Sequence, residues 1–125
     1  MMKLNELISD WIEQNDIAKA DLKDIEACNF GIFEAIDGYT IYLTGSKIYD
    51  SEDDDWAIKI DFEPINKYLT ILKKLTNELD WAGVFELVKK SLNSFMESEI
   101  FVSSHLNKVN IITTGFDSGG LIRIK

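Results

Sequence analysis

Residues 30–44 read FGIFEAIDGYTIYLT, two runs of alternating apolar residues separated by Asp37-Gly38. Alternation with a period of two is typical of strands that bury one face. An Asp-Gly pair between such runs predicts a hairpin with a type I′ turn, because both central residues of that turn need positive φ. We therefore expect antiparallel strands over residues 30–36 and 39–44.

Two further segments share the strand pattern. Residues 56–62, WAIKIDF, alternate cleanly and predict a third strand. Its inward-facing residues would be Trp56, Ile58, Ile60 and Phe62. Residues 109–116 and 121–125 flank the turn sequence DSGG, which predicts a β-hairpin at the C-terminus.

Helical spacing of apolar residues marks the segments on either side. Residues 4–12 predict an amphipathic helix with Trp11 on its buried stripe, and Asn15 or Asp16 can cap a weaker second helix. Pro64 suits the first turn of a helix over residues 65–78, because a proline there loses no hydrogen bond. Asp80 can cap a helix over residues 81–97, with Trp81 as a core anchor.

The order of these elements defines the expected fold class. Helices come first, then strands, then helices again, and a hairpin closes the chain, which is an α+β order. Short turns between successive strands favour an antiparallel sheet packed by helices on one face. The 125 residues fit a single α+β domain over 1–125, which can bury roughly two-thirds of its unfolded surface.

Composition restricts the classes of function. The chain is 46% hydrophobic, which is typical of a globular protein, and no apolar run approaches the roughly 20 residues that span a bilayer. The N-terminus lacks a cleavable apolar segment, and a single cysteine excludes an intramolecular disulfide. We therefore expect a cytoplasmic protein.

Acidic residues are concentrated in the first half of the chain. Residues 1–63 carry a net charge of −11 and the remainder carries +2, which gives the total of −9. This balance argues against a nucleic-acid partner, because such binding neutralises phosphates with Lys and Arg. An anionic membrane surface is disfavoured on the same grounds.

The acidic run at residues 50–55, DSEDDD, is the strongest candidate for a binding site. Adjacent carboxylates repel one another, and a cationic partner relieves that repulsion. Tyr39, Tyr42, Tyr49 and Trp56 surround the run in sequence. Because carboxylates bind arginine bidentately and Tyr supplies rigid contact area, the mixture suits an interface with a basic protein. The predicted partner-binding residues are Tyr49, Asp50, Glu52, Asp53, Asp54 and Asp55. The alternative is a solvated loop that only aids solubility.

Metal and cofactor chemistry has little support. With His105 and Cys28 as the only residues of their types, a structural zinc site would lack its usual ligands. Residues 50, 52 and 54 resemble the start of an EF-hand loop, but Asp55 stands where that loop needs Gly and Asp61 where it needs Glu. A weak calcium-binding module stays a minor alternative, and we expect no metal and no cofactor.

Catalytic motifs are also missing from the sequence. Residues 115–119, GFDSG, place their Ser one position too late for a nucleophile elbow, and no helix is expected after it. Cys28 fits a small core residue. Nothing selects one acid–base pair from the 22 carboxylate residues. We expect a protein that is not an enzyme.

Three short motifs carry a resemblance: the predicted strand of residues 55–64 entering a predicted helix with Tyr68-Leu69, Asp80-Trp81 opening a helix with Val84, Val88, Leu92 and Phe95, and Gly115-Phe116-Asp117-x-Gly119-x-Leu121. With these motifs the chain resembles the small immunity proteins of bacterial polymorphic-toxin and contact-dependent growth inhibition systems. The resemblance implies a cytoplasmic inhibitor that binds its cognate toxin and blocks or occludes the toxin's active site. The acidic charge separately favours a toxin with a basic surface, such as a nuclease, whose cleft is built to hold phosphates. The resemblance transfers no binding residue. Related sequences often carry more acid in the turn of residues 117–120, where this chain has Ser118 and Gly120, so the turn is a weaker candidate for partner contact. The rival function is an acidic regulatory or adaptor domain that binds a cellular protein.

Overall fold

The computed structural model describes residues 2–125, and the hairpin of residues 30–44 forms the centre of its sheet. Strands β1 (Ala27–Ala35) and β2 (Gly38–Ser46) pair antiparallel, with Ala35 opposite Gly38. Ile36 and Asp37 are therefore the two loop residues. Gly38 has a φ of 120°, whereas neither loop residue has positive φ, so the predicted type I′ turn is wrong. Gly38 does have the positive φ expected of it, but as the first residue of β2 rather than as a central residue of the turn.

The sheet has five strands in the order β3-β2-β1-β4-β5. The remaining strands are β3 (Tyr68–Thr70), β4 (Ile111–Phe116) and β5 (Ile122–Arg123). The α+β class and the C-terminal hairpin β4–β5 are confirmed, but the sheet is mixed because β1 and β4 are parallel. The long helical connection between β3 and β4 allows this, since parallel neighbours need a crossover rather than a tight turn.

Residues 56–62 do not form the predicted strand. Residues Asp54–Ile58 are a 3₁₀ helix, which leaves Trp56 only 3% exposed but Ile58 76% and Ile60 47% exposed. Hydrogen bonds from two side chains favour the helical turn. The Asp53 carboxylate accepts the Asp55 N–H at its start, and the single hydroxyl proton of Ser46 is shared between the carbonyls of Trp56 and Lys59. Only Phe62 keeps a strand-like contact, a single bridge to Gly45.

The helix expected over residues 65–78 is also wrong. Tyr68–Thr70 instead joins the sheet as β3, paired with residues 40–42 of β2, and a short helix α2 (Lys73–Thr76) follows. Leu69 and Ile71 both reach the core, as alternate residues of an extended segment do. Pairing with β2 therefore prevails over the helical spacing of the same residues.

Helices α1 (Leu4–Gln14) and α3 (Trp81–Met96) match the predicted segments and supply much of the core on one face of the sheet. Asp80 caps α3 as expected, accepting the Gly83 N–H at 2.8 Å. Trp11 is buried as predicted, and its indole donates to the Asn66 carbonyl at 2.8 Å. Trp81 is not a core anchor, because 67% of it is exposed.

The other helical elements are short. The weaker helix expected after Asn15 is reduced to the 3₁₀ turn Ile17–Lys19, while α4 (Glu99–Val102) and the 3₁₀ turn His105–Lys108 lead into β4. Among residues 2–125, every helix falls short of the length and apolar character that crossing a bilayer requires.

A second, smaller apolar cluster lies on the other face of the sheet. It is formed by Ala27, Trp56 and Ile111, with Tyr49, Ala57 and Leu121 packed around them. This cluster anchors both ends of the acidic run to the sheet, because Tyr49 precedes the run and Trp56 follows it. The main core lies opposite, between the sheet and helices α1 and α3.

Candidate partner-binding surface

The acidic run of residues 50–55, here called the acidic loop, lies on the surface with all five carboxylate residues exposed. Two of its side chains bond to the loop's own backbone. Asp50 accepts the Glu52 N–H at 2.8 Å, and Asp53 accepts the Asp55 N–H at 2.9 Å. These bonds give the loop a defined conformation and hold its charged groups in solvent.

Tyr49 has a structural contact besides its predicted place in the interface. Its ring is half-buried and meets Trp56 edge-on, with 5.2 Å between ring centroids and 64° between planes. The pair closes the base of the acidic loop, because the two residues flank it in sequence. Tyr49 therefore fixes the loop's position, and the exposed part of its side chain borders the carboxylates.

Asp54 connects the acidic loop to the C-terminal hairpin. Its carboxylate accepts the Leu121 N–H at 3.0 Å, and Leu121 itself packs in the same apolar cluster as Trp56. The turn at residues 117–120, here called the terminal turn, is thereby held beside the loop. The sequence contains no signal for this pairing, since 67 positions separate the two residues.

Asp117 of the terminal turn is bound from the sheet side. The Tyr42 hydroxyl donates to its carboxylate, and the Tyr42 ring lies over Gly31, where a Cβ would be 2.0 Å from the ring carbon Cζ. Burial, and then this hydrogen bond, raise the pKa of Tyr42 above its ordinary value. The exposed carboxylate of Asp117 thus adds a fixed negative charge near the loop.

A largely apolar area of the sheet, here called the open face, adjoins the acidic loop. It surrounds a cavity of 250 Å³ whose lining residues are Phe33, Tyr42, Thr44, Ala57, Ile58, Ile60, Lys67, Tyr68 and Asp117. Ile58 and Ile60 are largely exposed, as is Tyr68 at 57%. The Lys67 Nζ lies 5.7 Å from the centre of the Tyr42 ring and 5.6 Å from the centre of the Tyr68 ring. The same Nζ forms an ion pair with the Glu63 carboxylate at 2.9 Å.

A larger cavity of 690 Å³, here called the aromatic pocket, lies on the far side of the terminal turn. Its walls are Ile32, Phe33, Glu34, Tyr39, Trp81, Phe85, Phe116 and residues 117–120. The Phe116 ring meets Tyr39 and Trp81 edge-on, at centroid distances of 6.0 and 6.4 Å. Burial raises the pKa of Tyr39, and the charges of Glu34 and Asp80 raise it further.

Cys28 and His105 are the two residues considered above for metal or nucleophilic chemistry. Burial raises the pKa of the Cys28 thiol to about 12, so it stays protonated and inert at neutral pH. The His105 ring bonds through Nδ1 to the Ala20 carbonyl at 2.7 Å. Within residues 2–125, no three His, Cys, Asp or Glu side chains are grouped so that they could hold a metal ion.

Comparison with known proteins found no match to a family model, a curated protein or a solved structure. The candidate surface therefore rests on its own geometry. It consists of exposed carboxylates beside exposed apolar and aromatic side chains.

Sequence reasoning located the acidic loop but missed the surfaces around it. The open face was not predicted, because the alternation of residues 56–62 assigned Ile58 and Ile60 to the core. The aromatic pocket was not predicted either. Trp81 lies in the first turn of an amphipathic helix, where the periodicity of apolar residues does not indicate that its side chain is exposed. Asp117 was recognised as a turn residue, whereas its bond to Tyr42 depends on tertiary structure.

Proposed function

We propose that this chain is a non-catalytic binding protein that neutralises a basic bacterial toxin, acting as an immunity protein in the cytoplasm. The observation that carries the proposal is the acidic loop, in which five exposed carboxylates lie within six consecutive residues and are held beside an exposed apolar area. The predicted contact residues are Tyr49, Asp50, Glu52, Asp53, Asp54 and Asp55.

The fixed geometry of the loop supports binding rather than mere solubility. A solubilising loop needs charge but no particular conformation, whereas this loop is tied down by Asp50, Asp53 and Asp54 through backbone N–H groups. Holding like charges close together is unfavourable, and a cationic partner removes that cost. Preformed carboxylates also lose less conformational freedom when they bind arginine.

The open face supplies the apolar contact area that an acidic surface alone lacks. Interfaces combine an apolar centre with a polar rim, and contiguous exposed apolar patches mark interaction sites. Ile58 ends the same 3₁₀ helix that begins at Asp54, so the exposed apolar group and the carboxylates share one rigid element. The charges would then speed encounter, and the apolar side chains would slow dissociation.

The choice of a toxin as partner comes from the three sequence motifs that resemble immunity proteins. A nuclease-type toxin fits the charge argument, because a cleft built to hold phosphates is basic. An acidic protein can occupy that cleft by presenting carboxylates where phosphates would lie. The same surface would serve an adaptor that binds a basic cellular protein, so the partner's identity decides between the two functions.

The test is co-expression with the product of the adjacent upstream gene. We expect the two chains to co-purify and the growth arrest caused by the toxin to be relieved. A catalytically dead toxin should still co-purify, since inhibition by binding needs no turnover. Recovery of a cellular protein instead, with no protection against the neighbouring product, would contradict the immunity proposal and favour the adaptor.

A control for charge uses three carboxylates outside the candidate surface. Glu13, Asp16 and Glu99 are exposed and border a separate surface hollow between α1 and α4. Changing these three to Gln, Asn and Gln removes as much charge as changing Asp53, Asp54 and Asp55 to Asn. Protection should weaken with the loop variant and persist with the control. Equal weakening by both would attribute the effect to net charge.

A further inference from the structure

The aromatic pocket is a second candidate binding site, because five of its lining residues are aromatic and two are acidic. Trp81 and Phe85 of α3 line it together with Tyr39 of β2 and Phe116 of β4, and the Phe116 ring contacts both Trp81 and Tyr39 edge-on. Trp81 is 67% exposed, so a large indole surface is in contact with water instead of being packed in the core. Such exposure is unfavourable in a free protein and typical of a residue that anchors a complex.

The charges around the pocket indicate what it would hold. Glu34 and Asp117 are among its lining residues, and Asp80, the N-cap of α3, immediately precedes the lining residue Trp81. Among residues 2–125, no Lys or Arg contributes to the lining. An uncharged apolar ligand would leave these carboxylates without a partner, whereas a cation would be attracted by both the rings and the acids.

We propose that the aromatic pocket receives an arginine side chain of the basic protein partner, with the guanidinium against Trp81 and attracted by the nearby carboxylates of Glu34 and Asp80. Arginine fits better than lysine, because its planar group stacks on an aromatic face while its N–H groups donate to carboxylates. The inference rests on the proposed function, which supplies a basic partner, and it adds a second contact beyond the acidic loop.

The position of the pocket makes one continuous interface possible. Asp117 lines both the aromatic pocket and the open face, and the terminal turn that contains it is bonded to the acidic loop through Asp54. A partner seated on the loop would therefore pass over the terminal turn and reach the pocket. The loop would attract it by charge, and the pocket would fix one side chain.

The experiment uses the full chain and two short peptides in place of the toxin. One peptide is acetyl-Gly-Arg-Gly-amide, and the other carries citrulline, the neutral isostere of arginine. Binding is followed by the indole ¹H–¹⁵N NMR signals, of which Trp11 and Trp56 belong to buried side chains and Trp81 to an exposed one. A Trp81→Phe variant assigns the reporting signal.

The expected result is a saturable shift of the Trp81 signal with the arginine peptide. The citrulline peptide should bind at least about threefold more weakly, since it lacks the cation–π and charge contributions. Combining Glu34→Gln with Asp80→Asn should weaken arginine binding about threefold, as for exposed charge pairs, while the introduced asparagine still caps α3. The Asp53, Asp54 and Asp55 to Asn variant should keep the Trp81 response.

Two outcomes would overturn the pocket assignment. One is the absence of any saturable Trp81 shift with the arginine peptide, and the other is equal affinity for arginine and citrulline. Neither outcome involves the toxin, so the proposal for the acidic loop would stand. Conversely, failure of the co-expression test would leave a positive peptide result intact, as a cation site on a protein of another function.

Discussion

The carboxylate of Asp54 accepts a hydrogen bond from the backbone N–H of Leu121, at 3.0 Å. This bond joins the acidic loop to the C-terminal hairpin, the two segments that carry the most prominent charges of the candidate surface. Leu121 also packs near Trp56, so one residue receives both a polar and an apolar contact from the segment that contains the loop. The loop and the terminal turn therefore form one structural unit.

The first prediction concerns this bond. Replacing Asp54 by Ala should speed hydrogen exchange of the Leu121 amide about fivefold, the equivalent of one net hydrogen bond. Asp54→Asn should leave exchange nearly unchanged, because its side-chain oxygen still accepts. Asp55→Ala serves as the control for loss of a neighbouring charge, because the Asp55 carboxylate makes no hydrogen bond to the Leu121 amide or to the loop backbone. If all three variants exchange alike at Leu121, the loop is not fastened to the hairpin.

The second prediction separates the 3₁₀ helix from the strand expected at residues 56–62. Trp56→Ala should lower the free energy of unfolding by about 3–5 kcal/mol, because a buried indole leaves a cavity. Ile58→Ala should change it by no more than about 0.5 kcal/mol, since that side chain is exposed. Urea denaturation measures both. Comparable losses in the two variants would indicate a strand that buries both side chains.

Helices α1 and α3 and the hairpin β1–β2 could be predicted from the sequence, whereas the structure of residues 56–62 could not, because local patterns determine only some elements. Helices α1 and α3 were predictable because long segments with a 3.6-residue period have few alternative structures. The hairpin β1–β2 was predictable because its two alternating runs are adjacent in sequence. Residues 56–62 alternate equally well, yet the capping bond of Asp53 and the packing of Trp56 on Tyr49 place them in a turn.

Contacts between distant segments were beyond the reach of the sequence. Parallel pairing of β1 with β4 depends on where the helical crossover returns the chain, and β3 depends on an available edge of β2. The candidate site likewise has one part that the sequence predicts and another that depends on tertiary structure. The carboxylates of the acidic loop were visible as a run, whereas the terminal turn and Trp81 join the surface through tertiary structure alone.

The third prediction concerns the close approach of Tyr42 to Gly31. Gly31→Ala should lower the free energy of unfolding by about 1–3 kcal/mol, because the new Cβ must displace the ring and with it the hydrogen bond to Asp117. In a Tyr42→Ala background the same change should cost much less, and a double-mutant cycle measures the difference. Gly119→Ala is the control, since its nearest neighbours lie at ordinary contact distance. Strict additivity in the cycle would show that the ring does not occupy this position.

The fourth prediction concerns Cys28. Burial raises the pKa of its thiol from 9.0 to about 12, so the unfolded chain loses this proton before the folded one. The contribution to stability is therefore complete below pH 9 and is lost as the pH rises from about 9 to about 12. Compared with Cys28→Ala, the wild type should lose stability more steeply over that range in urea titrations. Parallel slopes, or rapid thiol labelling of the native protein at neutral pH, would contradict the buried thiol.

The last prediction tests the central claim, that the acidic loop meets a basic protein partner. The measurement is the association rate with the purified, catalytically dead toxin at several salt concentrations. Changing Asp53, Asp54 and Asp55 together to Asn removes charge but keeps side-chain acceptors, so the free energy of unfolding should barely change. Association should slow and depend less on salt, because salt screens the long-range attraction within about 8–10 Å. The matched variant at Glu13, Asp16 and Glu99 should keep a rate close to that of the wild type. An unchanged association rate and an unchanged salt slope in the loop variant would contradict the account and reduce the acidic loop to a solvated turn.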